Sequence, residues 1–282
     1  MTVAVHLSEA RVERAASPLS TWRSLAMVVR LGLRGQRRAP FIWGGALGVM
    51  GALMAALWPS IEDSMDDLMR TYPEDLKNAL GIQQLDSVEK YIEVEMLSFI
   101  VPLAAAYFGI RSAIRLTVMA EDRGYLDTLL ALPLSRRVLV LGSYVATGLV
   151  TAAILVVAAA LTWLGGTVAG TGISAAALAS GFGNVWPLAM VFAGVAVLMA
   201  GRIRRPAVVT GVAMVAAVGM YIVDLLGKVA PAMQDASALS VFRYYGSAIQ
   251  DGVDLSHAAA LTIVGALLAV TGALSFDRRD LG

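Results

Sequence analysis

Six apolar blocks, each about 18 to 28 residues long, constrain what this chain can fold into, because a helix crosses a hydrocarbon layer with about 20 such residues. The 282-residue chain is 58% apolar and 15% charged, and this composition is too apolar for an ordinary soluble domain. The sequence therefore predicts an all-α, polytopic membrane protein. Its six transmembrane helices are expected at about 41–58, 91–118, 138–164, 173–200, 206–226 and 255–276.

The polar stretches between the blocks predict how the chain is oriented. Residues 1–20 are expected to form a cytoplasmic tail, followed by a single transmembrane domain over 21–282 with outer segments at 59–90 and 227–254. When both termini are placed on one side, that side receives 17 of the 22 Lys and Arg residues. Because basic loops stay in the cytoplasm, we expect both termini there and the protein in the plasma (inner) membrane.

Residues 21–38 have the pattern of a helix that lies in the membrane interface. Apolar residues share one stripe and arginines share another, so one face would enter lipid while the other meets phosphate headgroups. An alternative is a plain cytoplasmic extension of the first span. The residues expected to contact the interface are Trp22, Arg23, Arg30 and Arg34.

Small and polar residues inside the spans predict helix contacts and kinks. In the first span Gly44, Gly48 and Ala52 recur every fourth residue, a spacing that permits close helix contact. Pro102 predicts a kink in the second span. In the fourth span Asn184 and Trp186 precede Pro187 and could line a substrate cavity or mark a kink; the pattern favours the kink.

The segment from Met119 to Val138 is the only charged and patterned stretch between two long apolar blocks. Its leucines have helical spacing, Gly124 lies inside it, and Pro133 ends the helical pattern. One interpretation is a basic loop that only fixes the topology. The other is a short amphipathic helix on the membrane face that offers side chains to a soluble partner.

The string Glu-acid-x-Gly-x-Leu-Asp-x-Leu-Leu-Ala-x-Pro-x-Ser-Arg in this segment resembles the cytoplasmic coupling segment of type-2 ABC exporter permeases. The resemblance implies a coupling helix between spans 2 and 3 with four apolar anchors for an ATPase groove and charged residues that fix its orientation. Asp122 stands where a second glutamate is usual. The implied coupling residues are Glu121, Asp122, Gly124, Tyr125, Leu126, Asp127, Leu129, Leu130, Pro133 and Arg136.

Two later segments resemble the same family. Residues Leu239–Gly246 read L-S-V-F-R-Y-Y-G, with Val241 where proline is usual, and the chain ends F-D-R-R-D-L-G. The resemblance implies two copies of a cytosolic ABC ATPase, which bind ATP and Mg, and a second permease chain, identical or related. Membrane lipid is a further expected partner. The implied function is export of a lipophilic or amphipathic substrate.

The sequence also limits the chemistry that the chain carries. It has no phosphate-binding loop, no cysteine and two distant histidines, so no ATPase motif, catalytic residue, metal site or cofactor site is predicted. The net charge of +1 does not indicate nucleic acid binding. The centres of the spans lack the ionisable groups that proton-coupled carriers use. A non-transporting anchor or sensor that recruits an ABC ATPase remains the alternative function.

Overall fold

The structure is a computed structural model that describes residues 21–71, 87–130 and 134–279. Every regular element within these ranges is helical, as predicted. The longer helices are α1 (Thr21–Gly35), α2 (Gly45–Thr71, preceded by a π-turn at Pro40–Gly44), α4 (Ile100–Ala113), α7 (Arg136–Val168), α8 (Ala175–Ala200), α9 (Pro206–Val229) and α12 (Leu255–Asp277). The short ones are α3 (Val88–Ile92, followed by a π-turn at Glu93–Leu97), α5 (Val118–Asp122), α6 (Leu126–Leu130), a 3-10 turn (Pro231–Met233), α10 (Gln234–Ser237) and α11 (Val241–Tyr245).

Five of these stretches are long and apolar enough to cross a membrane on their own, and a sixth crossing exists if one bent pair counts as a single span. This agrees with the predicted polytopic class. The observed stretches are Pro40–Ser60, Arg136–Val168, Ala175–Ala200, Pro206–Val229 and Leu255–Asp277, with Val88–Leu97 and Ile100–Ala113 forming the bent pair.

The second span differs from the continuous helix predicted over 91–118. It bends by 45° at a break between Leu97 and Ile100, and its helix ends at Ala113. Pro102 explains the position of the break, because a proline ring clashes with the carbonyl four residues earlier, at Ser98. The bend therefore lies one turn before the proline, and a turn at 114–117 replaces the predicted last helical turn.

The first span also ends differently from the prediction. Its helix does not stop near Trp58 but continues through Pro59 to Thr71, into the predicted outer segment 59–90. Residues 72–86 of that segment, the tail 1–20 and the last residues 280–282 lie outside the described part of the chain. At the other spans the predicted and observed ends differ by four residues or fewer.

Helix α8 forms the centre of the bundle, since 72% of its most apolar 18-residue stretch is buried inside the protein. Glycines let the backbone of α12 approach α8 closely. A Cβ on Gly194 would lie 2.5 Å from the carbonyl oxygen of Gly265, and one on Gly272 would lie 2.6 Å from that of Val197. The α8–α12 contact is thus made between backbones, as small residues allow in membrane helices.

The glycine spacing in the first span corresponds to a second close contact, between α2 and α7. A Cβ on Gly44 would lie 2.6 Å from the Ile154 carbonyl oxygen, and one on Gly48 would lie 2.7 Å from the Leu161 Cβ. Ala52 occupies the space that a side chain at Gly165 would need. The predicted small-residue contact is therefore confirmed, with α7 as its partner.

We expect Gly48→Leu to push α2 away from α7 and to destabilise the protein by about 1–3 kcal/mol, the usual cost of overpacking. The neighbouring Gly45 faces open space, because a Cβ there meets nothing within 4 Å. Gly45→Leu is therefore the matched control. Thermal unfolding in detergent should show a lower Tm for Gly48→Leu alone, and equal values for both variants would contradict the close contact.

Candidate functional site

The predicted coupling helix is in fact two short helices, α5 and α6, joined at Gly124. The glycine has a φ of +71°, in the left-handed region that other residues rarely adopt. The amide of Gly124 donates to the Glu121 carbonyl (3.0 Å), and that of Tyr125 donates to the Ala120 carbonyl (3.0 Å). This pair of bonds is a Schellman motif, which ends α5 and turns the chain into α6.

The apolar residues of α6 pack against their own chain. Leu126 is buried at 4% exposure, in a cluster that also contains Leu116 and Leu139. Tyr125 and Leu129 are half-buried against the same cluster, and the Tyr125 hydroxyl donates to the Arg115 carbonyl (3.2 Å). These three residues therefore hold the segment onto the bundle, and Leu126 in particular is inaccessible to a partner in this conformation.

The outward surface of the segment is formed by its polar residues. Asp122, Arg123, Gly124 and Thr128 are all exposed. We call these four residues the outer face of the segment. The side chains of Asp127 and Leu130, and all of Pro133, lie outside the described part of the chain, so their predicted roles stay predictions.

Glu121 points toward its own bundle rather than toward solvent. Its Oε2 forms an ion pair with Nη2 of Arg279, whose side chain is only 8% exposed. Its Oε1 lies 3.8 Å from Nε of the more exposed Arg204. The carboxylate therefore links α5 to the end of α12 and to the loop between α8 and α9. The sequence analysis did not predict this contact, because Glu121 and Arg279 are 158 residues apart in the chain.

Arg279 extends this network to further helix ends. Its Nη1 donates to the Ala200 carbonyl at the end of α8 (2.8 Å), and its guanidinium lies 5.2 Å from the centre of the Phe276 ring. The carbonyl of Arg279 accepts from Nη1 of Arg136 at the start of α7 (2.8 Å). Arg136, which the resemblance assigns to the ATPase contact, thus bonds within the chain. We call Glu121, Arg136, Arg204 and Arg279 the Glu121 cluster, and the side of the bundle that holds it the Glu121 end.

The predicted interfacial residues lie on the outside of α1, where Trp22, Arg23, Arg30 and Arg34 are all exposed. The face packed against α7 is a different one. Val28 is fully buried, and its Cγ1 occupies the space that a Cβ on Gly142 would need (2.6 Å). The arginine periodicity located the outer face, whereas nothing in the sequence distinguished Val28 from its apolar neighbours.

The Leu239–Gly246 motif lies at the opposite end of the bundle. Ser240 caps α11 by accepting from the Phe242 amide (3.1 Å) and donates its hydroxyl to the Met220 carbonyl of α9 (2.7 Å). The Phe242 ring packs with Tyr221 and Phe192 at centroid distances of 5.5 and 6.1 Å. The motif therefore inserts a short helix between the ends of the spans.

Buried polar groups hold this insertion in place. The Asn184 amide donates to the Tyr245 carbonyl (2.7 Å), and the Tyr245 hydroxyl donates to the Leu97 carbonyl (2.9 Å). Burial raises the pKa of the Tyr245 hydroxyl above its usual range, so the hydroxyl remains a neutral donor. The Glu93 carboxylate accepts from the amides of Ile249 (2.7 Å) and Gln250 (3.0 Å). The NH2 group of Asn184 is thus bonded within the protein, and its role in a substrate path stays a prediction.

Trp186, the second residue predicted for a substrate path, separates two apolar grooves. Its indole N–H donates to the Gly148 carbonyl (2.8 Å), so its polar atom is satisfied within the protein. Its ring borders a groove of about 580 Å³ with Phe182 and Trp163 and a second groove of about 270 Å³ with Met190. Helix α8 runs through Pro187 without interruption, so the proline does not break the span.

These apolar crossing helices, joined at both ends by buried polar contacts, define a multi-pass membrane protein. The chain belongs to the family described as "Multidrug efflux system permease Rv1217c, C-terminal domain", whose model matches residues 25–277. It is thus a permease of the multidrug efflux type, and the resemblance to exporter permeases is confirmed. No curated protein sequence matches the chain. Within the described residues, no group of three or more His, Asp or Glu could hold a metal ion.

We expect the Glu121–Arg279 pair to show a coupling energy of about 1–3 kcal/mol in a double-mutant cycle, as partly buried contacting pairs do. Glu121→Gln, Arg279→Gln and the double variant would be compared by unfolding with SDS. Arg278→Gln is the matched control, because Arg278 is exposed beside Arg279. A coupling energy near zero would show that the pair does not hold the two segments together.

We expect Glu93→Gln to loosen the opposite end, because a glutamine oxygen is uncharged and accepts less strongly from two amides. The cost should be about 1–3 kcal/mol, as for other buried hydrogen bonds to a charged group. Hydrogen exchange read by mass spectrometry should show faster exchange in the peptide that contains Ile249 and Gln250. The exposed neighbour Glu95 provides the control Glu95→Gln; similar exchange in both variants would refute the role of Glu93.

Proposed function

We propose that the chain is the transmembrane subunit of an ATP-driven ABC exporter in which a separate cytosolic ATPase pushes on residues 118–130. The observation that carries this proposal is the Glu121 cluster. It connects the 118–130 segment to the ends of α7, α8 and α12 through buried or half-buried charged contacts. A force on the segment would therefore reach three membrane helices without passing through a flexible loop.

The inner and outer sides of the 118–130 segment both suit this role in transmitting a force. The inner side is fixed by Leu126, Tyr125 and Leu129, which pack into the bundle. The outer face carries polar residues of both charge signs, and charge patterns of this kind orient a partner more than they add affinity. ATP and Mg would be bound by the ATPase, and this chain would contribute rigid transmission of its movement.

The orientation and stoichiometry follow from the same proposal. The Glu121 end carries the arginine-rich loops, so it would face the cytoplasm, with both chain termini on that side of the plasma (inner) membrane. A working transporter would contain a second permease chain, identical or related, and two ATPase subunits. The domain boundaries of the sequence analysis, with a single transmembrane domain over 21–282, are part of this proposal.

A lipophilic or amphipathic substrate is supported by the grooves beside Trp186. Their walls are built from alanine, valine, leucine and aromatic side chains, with little polar surface. Apolar walls of this kind bind apolar ligand surface and leave selection to shape. The substrate path would then run along α7 and α8, with Trp186 between its two halves.

The proposal is tested by purifying the tagged protein in detergent from its native membrane and measuring ATP hydrolysis by whatever co-purifies. We expect a soluble ATPase with a phosphate-binding loop. Thr128→Arg places a bulky charge on the outer face and should reduce the recovered ATPase roughly tenfold, as loss of a central interface contact does. Thr167→Arg is the matched control, because Thr167 is exposed at the opposite end of α7.

Two outcomes would contradict the proposal. If the protein purifies without any ATPase, the 118–130 segment does not dock one. If an ATPase co-purifies but its hydrolysis does not respond to lipophilic compounds in reconstituted vesicles, the chain would instead act as a membrane anchor that recruits an ATPase without transport.

A further inference from the structure

Beside the Glu121 cluster lies a pocket of about 410 Å³, whose lining shares Asp122 and Arg123 with the outer face of the 118–130 segment. It is formed where the end of α4, the helix α5 and the start of α9 come together. Three arginines and one aspartate dominate its lining. The lining residues are Arg111, Met119, Asp122, Arg123, Arg205, Pro206 and Ala207.

The arginines of this pocket lack partners inside the protein. Within the described residues, the side chains of Arg111, Arg123 and Arg205 make no hydrogen bond or ion pair, and the Asp122 carboxylate makes none either. Arg111 is only half-exposed, so its charge is partly removed from water. Three like charges around one concavity repel each other, and an anion in the pocket would remove that repulsion.

The backbone adds to the positive potential. Arg205 is the N-cap of α9, and Ala207 lies in the first turn of that 24-residue helix. Pro206 has no N–H, and the amides of Val208 and Val209 donate to the Arg205 carbonyl, so the first turn offers the Ala207 amide together with the positive end of the helix dipole. Arg111 lies in the last turn of α4, where the negative end of the dipole stabilises its charge.

The position of the pocket relative to the membrane indicates the source of its anion. Arg111 ends one membrane-crossing helix and Arg205 begins another, so the pocket lies at the edge of the apolar layer. Phospholipid headgroups occupy that level, and arginine binds phosphate through paired N–H donors. Isolated arginines on a flat surface would simply remain in water, whereas these three converge on one cavity with room for a headgroup phosphate.

We propose that the pocket formed by Arg111, Arg123 and Arg205 binds a phosphate group, supplied by the headgroup of an anionic phospholipid. Asp122 on its wall repels the same group and so limits the affinity. The site requires neither the ATPase nor a transported substrate, and it can be tested on the purified chain alone.

The test measures binding of dioctanoyl phosphatidylglycerol to the full chain in dodecyl maltoside by native mass spectrometry. Arg111→Gln and Arg205→Gln should each weaken binding roughly tenfold, the usual effect of losing one charge-assisted hydrogen bond. Asp122→Asn should strengthen binding several-fold, because it removes the only negative charge of the pocket. The sign reversal separates pocket occupancy from damage to folding.

Controls distinguish the pocket from a general basic surface. Arg202 is exposed in the loop that contains Arg205 but does not line the pocket, so Arg202→Gln should change the affinity by less than about twofold. Dioctanoyl phosphatidylcholine, whose headgroup carries no net charge, should bind much more weakly. Equal weakening by Arg111→Gln and Arg202→Gln, or no strengthening by Asp122→Asn, would overturn the proposal.

Inorganic phosphate is the second arm of the experiment. Competition by millimolar phosphate together with tight phosphatidylglycerol binding supports the lipid as the source. Binding of phosphate without any binding of phosphatidylglycerol would retain the anion pocket but overturn the lipid headgroup as its occupant. Arginine variants that keep full lipid affinity yet lose the co-purifying ATPase would show instead that the pocket docks a protein.

Discussion

Glu121 and Arg279 meet where the ends of three membrane helices converge, and their ion pair determines how that end of the bundle is joined. An arginine exposed by only 8% would be unstable without an anionic partner, because desolvation of a charge is costly. Arg279 also bonds the last carbonyl of α8 and accepts a bond from Arg136 at the start of α7. Removing the Glu121 carboxylate would leave the buried Arg279 guanidinium without its anionic partner, and removing Arg279 would leave Glu121 with the longer contact to Arg204.

At the opposite end of the bundle, hydrogen bonds to backbone groups also join the ends of the spans. There Asn184, Tyr245 and Glu93 bond backbone groups rather than each other, and they fix a short helix between the span ends. Between the two ends, glycines bring the backbones of α8 and α12 into direct contact, and no space is left for side chains at these positions. The bundle therefore combines a tightly packed middle with polar connections at both ends, as the proposed transmission of movement requires.

The sequence predicted the class, the approximate spans and a close helix contact by the first span, because span length and small-residue spacing are local properties of the sequence. The partner of that contact, α7, is known only from the structure. It did not predict the break at Gly124, since a helical leucine pattern continues on both sides of the glycine. The burial of Leu126 and the pairing of Glu121 with Arg279 depend on helices far apart in the chain. Glu121, Leu126 and Arg279 lie within the family-like motifs, but the contacts of their side chains are seen only in the tertiary structure.

The most direct test of the account is a set of distances between spin labels, measured by electron paramagnetic resonance in the complex with the proposed ATPase. The chain has no cysteine, so pairs can be introduced at Thr128, Arg278 and Val253, all of which are exposed. Trapping the ATP-bound state should change the 128–253 and 278–253 distances together while the 128–278 distance stays constant. Movement of position 128 relative to both 278 and 253, with 278–253 unchanged, would contradict transmission through the Glu121–Arg279 pair.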